Sequence, residues 1–173
     1  MKKLLLTVAL SLILSLGFTV NANAESGSFW FSGGGKDGNG TLAIGFGSEN
    51  VGIEFGLIDD DNLPVGTLDY ECPHWDFTSL GDKTLESSVG IDLIGMINLS
   101  ENIILYGGPG LYWDRTGEVV RSNETGWFYT QSDNTSTEIA CSGGIRFTLT
   151  EGTRLGIGYH SLRGTNLTFQ LSF

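Results

Sequence analysis

The sequence predicts an all-β fold, an eight-stranded antiparallel up-and-down barrel, on three observations. Apolar residues recur at every second position in eight segments, the period of strands. Short and long connections alternate between those segments. The polar strand residues fall on one common face, which is also rich in Gly, Ser and Thr.

The first 24 residues stand apart from this pattern. Lys2 and Lys3 precede an apolar stretch from Leu4 to Leu16, and small residues close with Ala22-Asn23-Ala24. This is the pattern of a secretory signal peptide cleaved after Ala24, which implies Sec-type export and leaves residues 25–173 as one domain. Beyond it no apolar run is long enough for a helical span, so any membrane crossing must be made by strands.

The first strand is expected at Phe29 to Gly34, short but aromatic. Leu42, Ile44 and Phe46 mark the second, and Val51, Ile53, Phe55 and Leu57 the third. Val89, Ile91, Leu93 and Ile97 mark the fourth. Ile103 to Trp113 forms the fifth, where Pro109 removes a ladder donor and predicts a bulge or local break. Ile139, Cys141, Ile145, Phe147 and Leu149 mark the sixth, Leu155, Ile157 and Tyr159 the seventh, and Leu167, Phe169, Leu171 and Phe173 the last.

Three short turns, Ser48-Glu49, Leu99 to Asn102 and Thr150 to Thr153, each carry an acid beside Asn, Gly or Ser. The other connections are Lys36 to Asn39, a bend at Leu162 to Thr165, and two long loops, 58–83 and 114–135. Alternating connections of this kind are those of an up-and-down barrel with both chain ends on one rim. Each short turn sets a register: Phe46 opposite Val51, Ile97 opposite Leu105, Phe147 opposite Leu155.

Alternation alone does not say which face is inside. Glu54, Asp92, Glu138, Arg146, Arg154, His160 and Gln170 share one face, opposite a face of Leu, Ile, Val and Phe. A barrel of eight strands has room inside only for packed side chains, and small residues with a few opposite charges fill such a space. A soluble barrel with that polar face outside would carry many more Lys and Glu on its strands. The pattern therefore reads as a membrane barrel with apolar residues towards lipid. The rival with the opposite facing is a soluble periplasmic barrel that binds a small apolar ligand.

The net charge of −11 excludes a phosphate-neutralising surface, so nucleic acid is not an expected partner. Cys72 and Cys141 make no disulfide framework, although export leaves a single bridge between them open.

The alternating Gly-rich strands, the turn pattern and the ending L-T-F-Q-L-S-F resemble the small bacterial outer-membrane β-barrel proteins, such as the OmpA transmembrane domain and OmpX. The resemblance implies residence in the Gram-negative outer membrane, in contact with lipid and lipopolysaccharide. It also implies handling by periplasmic chaperones and by the barrel-assembly machinery, which in that family reads a terminal aromatic strand. Leu167, Phe169, Leu171 and Phe173 occupy those positions here. It implies no activity, because the fold hosts structural barrels, adhesins, resistance factors and lipid A enzymes.

Three sets of side chains are candidates for chemistry. Outer-membrane lipid A deacylases are similar barrels with a His-x-Ser arrangement near the chain end, which makes His160 with Ser161 a hydrolase candidate. Adjacent strand residues point to opposite faces, however, and Ser142, opposite His160, is a second hydroxyl with Glu138 nearby. The competing reading is a lumen histidine satisfied by hydroxyls. Glu54, Arg146 and Arg154 lie near one height and are expected to form a lumen ion-pair cluster. The acids between Asp59 and Asp76, with His74, match no calcium-loop spacing and read as a solvated loop. No metal or cofactor is expected.

Tyr112, Trp113, Trp75, Phe77, Trp127, Phe128 and Tyr129 gather towards the long loops. They suit a membrane-interface girdle or a recognition surface. Taken together, the sequence predicts a non-enzymatic barrel with a filled lumen, whose loops 58–83 and 114–135 form a contact surface.

Overall fold

Alternation with period 2 sends successive side chains to opposite faces of a strand, and eight of the ten strands of the chain follow it. The computed structural model describes residues 27–59 and 63–173. In chain order the strands are β1 (Ser28–Lys36), β2 (Asn39–Gly47), β3 (Val51–Asp59), β4 (Phe77–Thr84), β5 (Ser88–Ser100), β6 (Ile103–Ser122), β7 (Phe128–Thr130), β8 (Asn134–Thr150), β9 (Thr153–His160) and β10 (Gly164–Ser172). No helix occurs among the described residues. The leader expected over residues 1–24 lies outside them.

Eight of these strands close into a ring. β1 pairs with β2, β2 with β3, β3 with β5, β5 with β6, β6 with β8, β8 with β9, β9 with β10, and β10 with β1, all antiparallel. Closure leaves the ring without an edge. The short turns, the start of β1 and the end of β10 lie at one rim. At the other rim sit the Asp37-Gly38 turn, the bend after His160 and the two long connections. Asp37 (φ 55°) and Gly38 (φ 91°) are both left-handed, as a two-residue hairpin between right-twisted strands requires.

The apolar rows face outward. Leu42, Phe55, Ile91, Leu105, Phe147 and Leu167 are between 38% and 67% exposed, while Trp30, Glu54, Asp92, Tyr112, Arg146, His160 and Gln170 are buried inside. Leu167, Phe169, Leu171 and Phe173 follow the outer face of β10, with Phe169 against Phe31 at 5.3 Å between ring centroids. The lumen is full of side chains. Trp30, Ile94, Met96, Ile104 and Tyr106 form an apolar cluster there. The Trp30 ring occupies the places where Cβ atoms of Gly45 and Gly52 would stand, which explains glycine at those inward positions.

Two of the three predicted turn registers match the structure, Ile97 with Leu105 and Phe147 with Leu155. Phe46 meets Ile53 instead of Val51. The turn runs from Ser48 to Asn50 and is closed by Ser48 N–H donating to the Val51 carbonyl at 2.9 Å. The shift is two residues, so every side chain keeps its face. At Pro109 the strand is continuous. The β5–β6 pairing lapses between Asp92–Gly110 and Gly95–Gly107 but resumes in the same register, so there is a local gap and no bulge.

The larger departure lies in the two long connections, which are mostly folded. β6 is 20 residues long and β8 is 17, and their pairing continues past the barrel to Thr116 opposite Asn134. Beyond that, β6 is flanked by β4 and β7, ending with Phe77 opposite Ser122 and Phe128 opposite Arg121. Leu85, Val119, Val120 and Tyr129 are buried in this lobe. The segment after Leu63 is sewn on by the Leu68–Tyr129 bridge, with Leu68 N–H donating to the Phe128 carbonyl at 2.9 Å. An outer lobe of β-sheet thus stands on the barrel.

Candidate functional site

Two regions carry the chemistry, a buried polar network in the lumen and the outer lobe. Glu54 on β3 stands directly opposite Asp92 on β5, so two carboxylates meet inside the barrel. Arg163, from the bend between β9 and β10, turns inward and is 2% exposed. Its Nη2 binds Glu54 Oε1 and donates to Asp92 Oδ2 at 3.2 Å. Trp30 Nε1 donates to Glu54 Oε2 at 2.6 Å and Tyr112 Oη donates to Asp92 Oδ2 at 2.8 Å. The acids are therefore both paired and hydrogen-bonded, the condition for keeping charge in a buried place.

His160 joins this network with its tautomer fixed. Its Nδ1 accepts the N–H groups of Leu162 at 3.1 Å and Arg163 at 3.0 Å. The proton must then sit on Nε2, which donates to Asp92 Oδ1 at 2.9 Å. Both ring nitrogens are committed, and no lone pair is left to take a proton from a hydroxyl. Ser142 does lie opposite His160, but its Oγ donates to the Gly108 carbonyl at 3.3 Å. Ser161 Oγ accepts the Cys141 N–H at 3.0 Å. Glu138 is exposed and lines the outer mouth of the barrel with Lys36, Asp37 and Asp114. The four residues of the hydrolase reading are thus not assembled as nucleophile and base.

The expected trio of Glu54, Arg146 and Arg154 is divided differently. Glu54 takes Arg163, which stands in the bend between β9 and β10. Arg146 is fully buried, donates from Nη1 to Gln170 Oε1 at 2.7 Å, and lies between the rings of Trp30 and Tyr106 at 4.6 and 4.4 Å from their centroids. Its partners are aromatic faces, a cation–π arrangement. Arg154 is half-buried opposite Gln170 and shows no ion pair among the described residues.

In the outer lobe, Arg115 gathers three acids: Asp69 at 3.5 Å, Glu86 at 3.0 Å and Asp133 at 2.5 Å. Its hydrogen bond to Asp133 holds that carboxyl below its usual range, and the same bond raises the guanidinium. His74 Nδ1 lies 2.8 Å from Glu124, and Asn123 Nδ2 donates to Asp76 at 2.8 Å. The acidic loop is therefore knitted to its neighbours. No group of three or more possible metal ligands occurs among the described residues.

Cys72 and Cys141 are free. Cys72 N–H donates to Gln131 in the lobe, while Cys141 faces outward on β8 opposite Pro109, so the bridge left open by the sequence is not formed. The aromatic group separates by place. Tyr112 points into the lumen, Trp113 faces outward at the barrel rim, Tyr129 is buried in the lobe, and Trp75 and Trp127 are exposed on it.

No family model matches this chain, and no curated protein matches it. Among solved structures it is similar to Neisserial surface protein A, at 14% identity and a TM-score of 0.41, over 85% of this chain and 90% of that one. It is also similar to Ail, the attachment invasion locus protein of Yersinia pestis, at 13% identity and a TM-score of 0.37, over 85% and 92%. A second Ail structure, in complex with the heparin analogue sucrose octasulfate, has a TM-score of 0.35 at 13% identity. The eight-stranded ring rests on the strand pairings described above and not on these likenesses.

Proposed function

We propose that this chain is a non-enzymatic integral barrel of the Gram-negative outer membrane that presents a folded lobe at the cell surface for interaction. The observation that carries the reading is the inversion of polarity: exposed Leu, Ile, Val and Phe rows outside, buried Glu54, Asp92, Arg146 and Arg163 inside. An apolar exterior on a closed barrel suits lipid, where every backbone group must be satisfied internally. A soluble carrier with an apolar ligand cavity needs the reverse. The packed lumen also speaks against an aqueous channel.

The short-turn rim would face the periplasm and the lobe the outside, the usual asymmetry of such barrels. Outer-membrane lipid and lipopolysaccharide surround the barrel in this reading. Phe173 and its row would serve as the assembly signal read by chaperones and the assembly machinery. The commitment of both His160 nitrogens favours this reading over a lipid A hydrolase.

Fractionation with alkaline carbonate, followed by external protease on whole cells, tests it. The protein should stay in the membrane pellet and be cut in the lobe. Recovery in the soluble periplasm would overturn it. Lipid A mass spectra should be the same with wild type, His160→Ala and no expression; loss of an acyl chain only with wild type would overturn the non-enzymatic part.

A further inference from the structure

The lobe exposes apolar side chains that the barrel's own setting does not explain. Val65 is 100% exposed, Trp75 99% and Trp127 57%. Phe77, two residues after Trp75, pairs with Ser122, which is nine residues beyond the rim residue Trp113 on β6. At about 3.3 Å per residue that is roughly 30 Å of strand, too far from the barrel rim for a membrane-interface girdle.

These residues are not on a loose tip. Tyr70 and His74 pack on buried Tyr129 at 5.6 and 6.5 Å, the Leu68 strand bridge ties their segment to β7, and Arg115 ties it to three acids. The segment that bears Val65 and Trp75 is thus bonded to the lobe before any partner arrives, which lowers the ordering cost of binding. Between the two segments lies an open cleft lined by Val65, Gly66, Thr125, Gly126, Trp127 and Phe128. Gly66 leaves its wall open, with nothing within 4 Å of where a Cβ would stand.

The charge around the cleft is predominantly negative. Residues 63–87 and 114–138 carry ten acids and three bases, and Glu71, Asp76 and Glu124 are exposed on the segments that bear the cleft. Arg121 lies beside Gly126 and offsets one of these charges. An apolar seat in an acidic field fits an aliphatic or aromatic side chain flanked by Lys or Arg. The phosphates of lipopolysaccharide and sulfated sugars are repelled by the same field.

We propose that the outer lobe docks a basic polypeptide, with one apolar side chain seated between Val65 and Trp127 and flanking cations facing Glu71, Asp76 and Glu124. The proposal rests on the outward-facing lobe of the function proposed above.

The test uses the full chain in lipid nanodiscs and three synthetic twelve-residue peptides. One carries four lysines around a central leucine, one has alanine for that leucine, and one has glutamate for every lysine. The lysine–leucine peptide should bind, the alanine version at least tenfold more weakly, and the glutamate version not at all. Trp127→Ala and Val65→Ser should each weaken the first peptide about tenfold, while Glu71→Gln with Glu124→Gln should flatten its salt dependence. Heat-dependent gel mobility checks that each variant forms the barrel, and an unchanged protease cleavage pattern in nanodiscs checks that its lobe is folded. Equal binding of the leucine and alanine peptides, no effect of the cleft variants, or displacement by lipopolysaccharide would overturn the proposal. External protease on whole cells separates the two levels. Cleavage of the lobe without peptide binding defeats the basic partner alone, and an inaccessible lobe defeats the surface role as well.

Discussion

Glu54 and Asp92 face each other across β3 and β5, a position in which like charges repel, and Arg163 is the group that reconciles them. Removing one partner from a buried ion pair leaves the others uncompensated, at about 3–5 kcal/mol. Arg163→Met should lower stability by that order in urea unfolding from lipid vesicles, and Glu54→Gln placed on top should restore part of it. Arg154→Ala, which breaks no ion pair among the described residues, should shift the midpoint by less than about 0.5 kcal/mol. A larger loss with Arg154→Ala than with Arg163→Met would refute the assignment. The sequence made Glu54, Asp92 and His160 legible as inward residues, because alternation fixes faces. It hid Arg163, since a side chain in a bend has no strand parity to read. The Glu54–Asp92 contact was hidden too: β3 and β5 are joined through a long connection, and no short turn sets their register.

At the scale of elements, the eight barrel segments were readable because each alternates between lipid-like and small polar residues. The lobe strands were not. β4 reads FTSLGDKT and is exposed along most of its length, so it has no two-sided pattern, and the outer part of β6, Asp114 to Ser122, mixes charges with Val119 and Val120. What orders these strands is tertiary: pairing with β6 and the Arg115 hub. That hub predicts a pH response. The folded Asp133 carboxyl is held low by Arg115, so its contribution is complete above the unfolded value of about 3.9 and is lost as pH falls through the folded one. Amide hydrogen exchange in β7 and the Leu68 segment, corrected for intrinsic rates, should therefore rise below about pH 4. In Arg115→Ala it should already be raised at neutral pH and change little more on acidification. Equal protection of wild type and variant at every pH would show that the hub does not order the lobe.

The whole molecule divides its stability between two settings. The barrel has a closed hydrogen-bonded ring, a filled lumen and an apolar coat, while the lobe has its own small core of Leu85, Val119, Val120 and Tyr129. The lobe should open well before the ring, so trypsin on the reconstituted protein is expected to remove Arg115–Arg121 material at mild denaturant while a protected barrel core survives. The central claim is the inverted polarity of a closed ring that resides in a membrane, and heat-dependent gel mobility of the membrane fraction tests it most directly. An unheated sample should run as a compact, faster band that converts to the position expected from mass after boiling. A single band at the same position before and after heating, from protein recovered in the soluble periplasm, would contradict it.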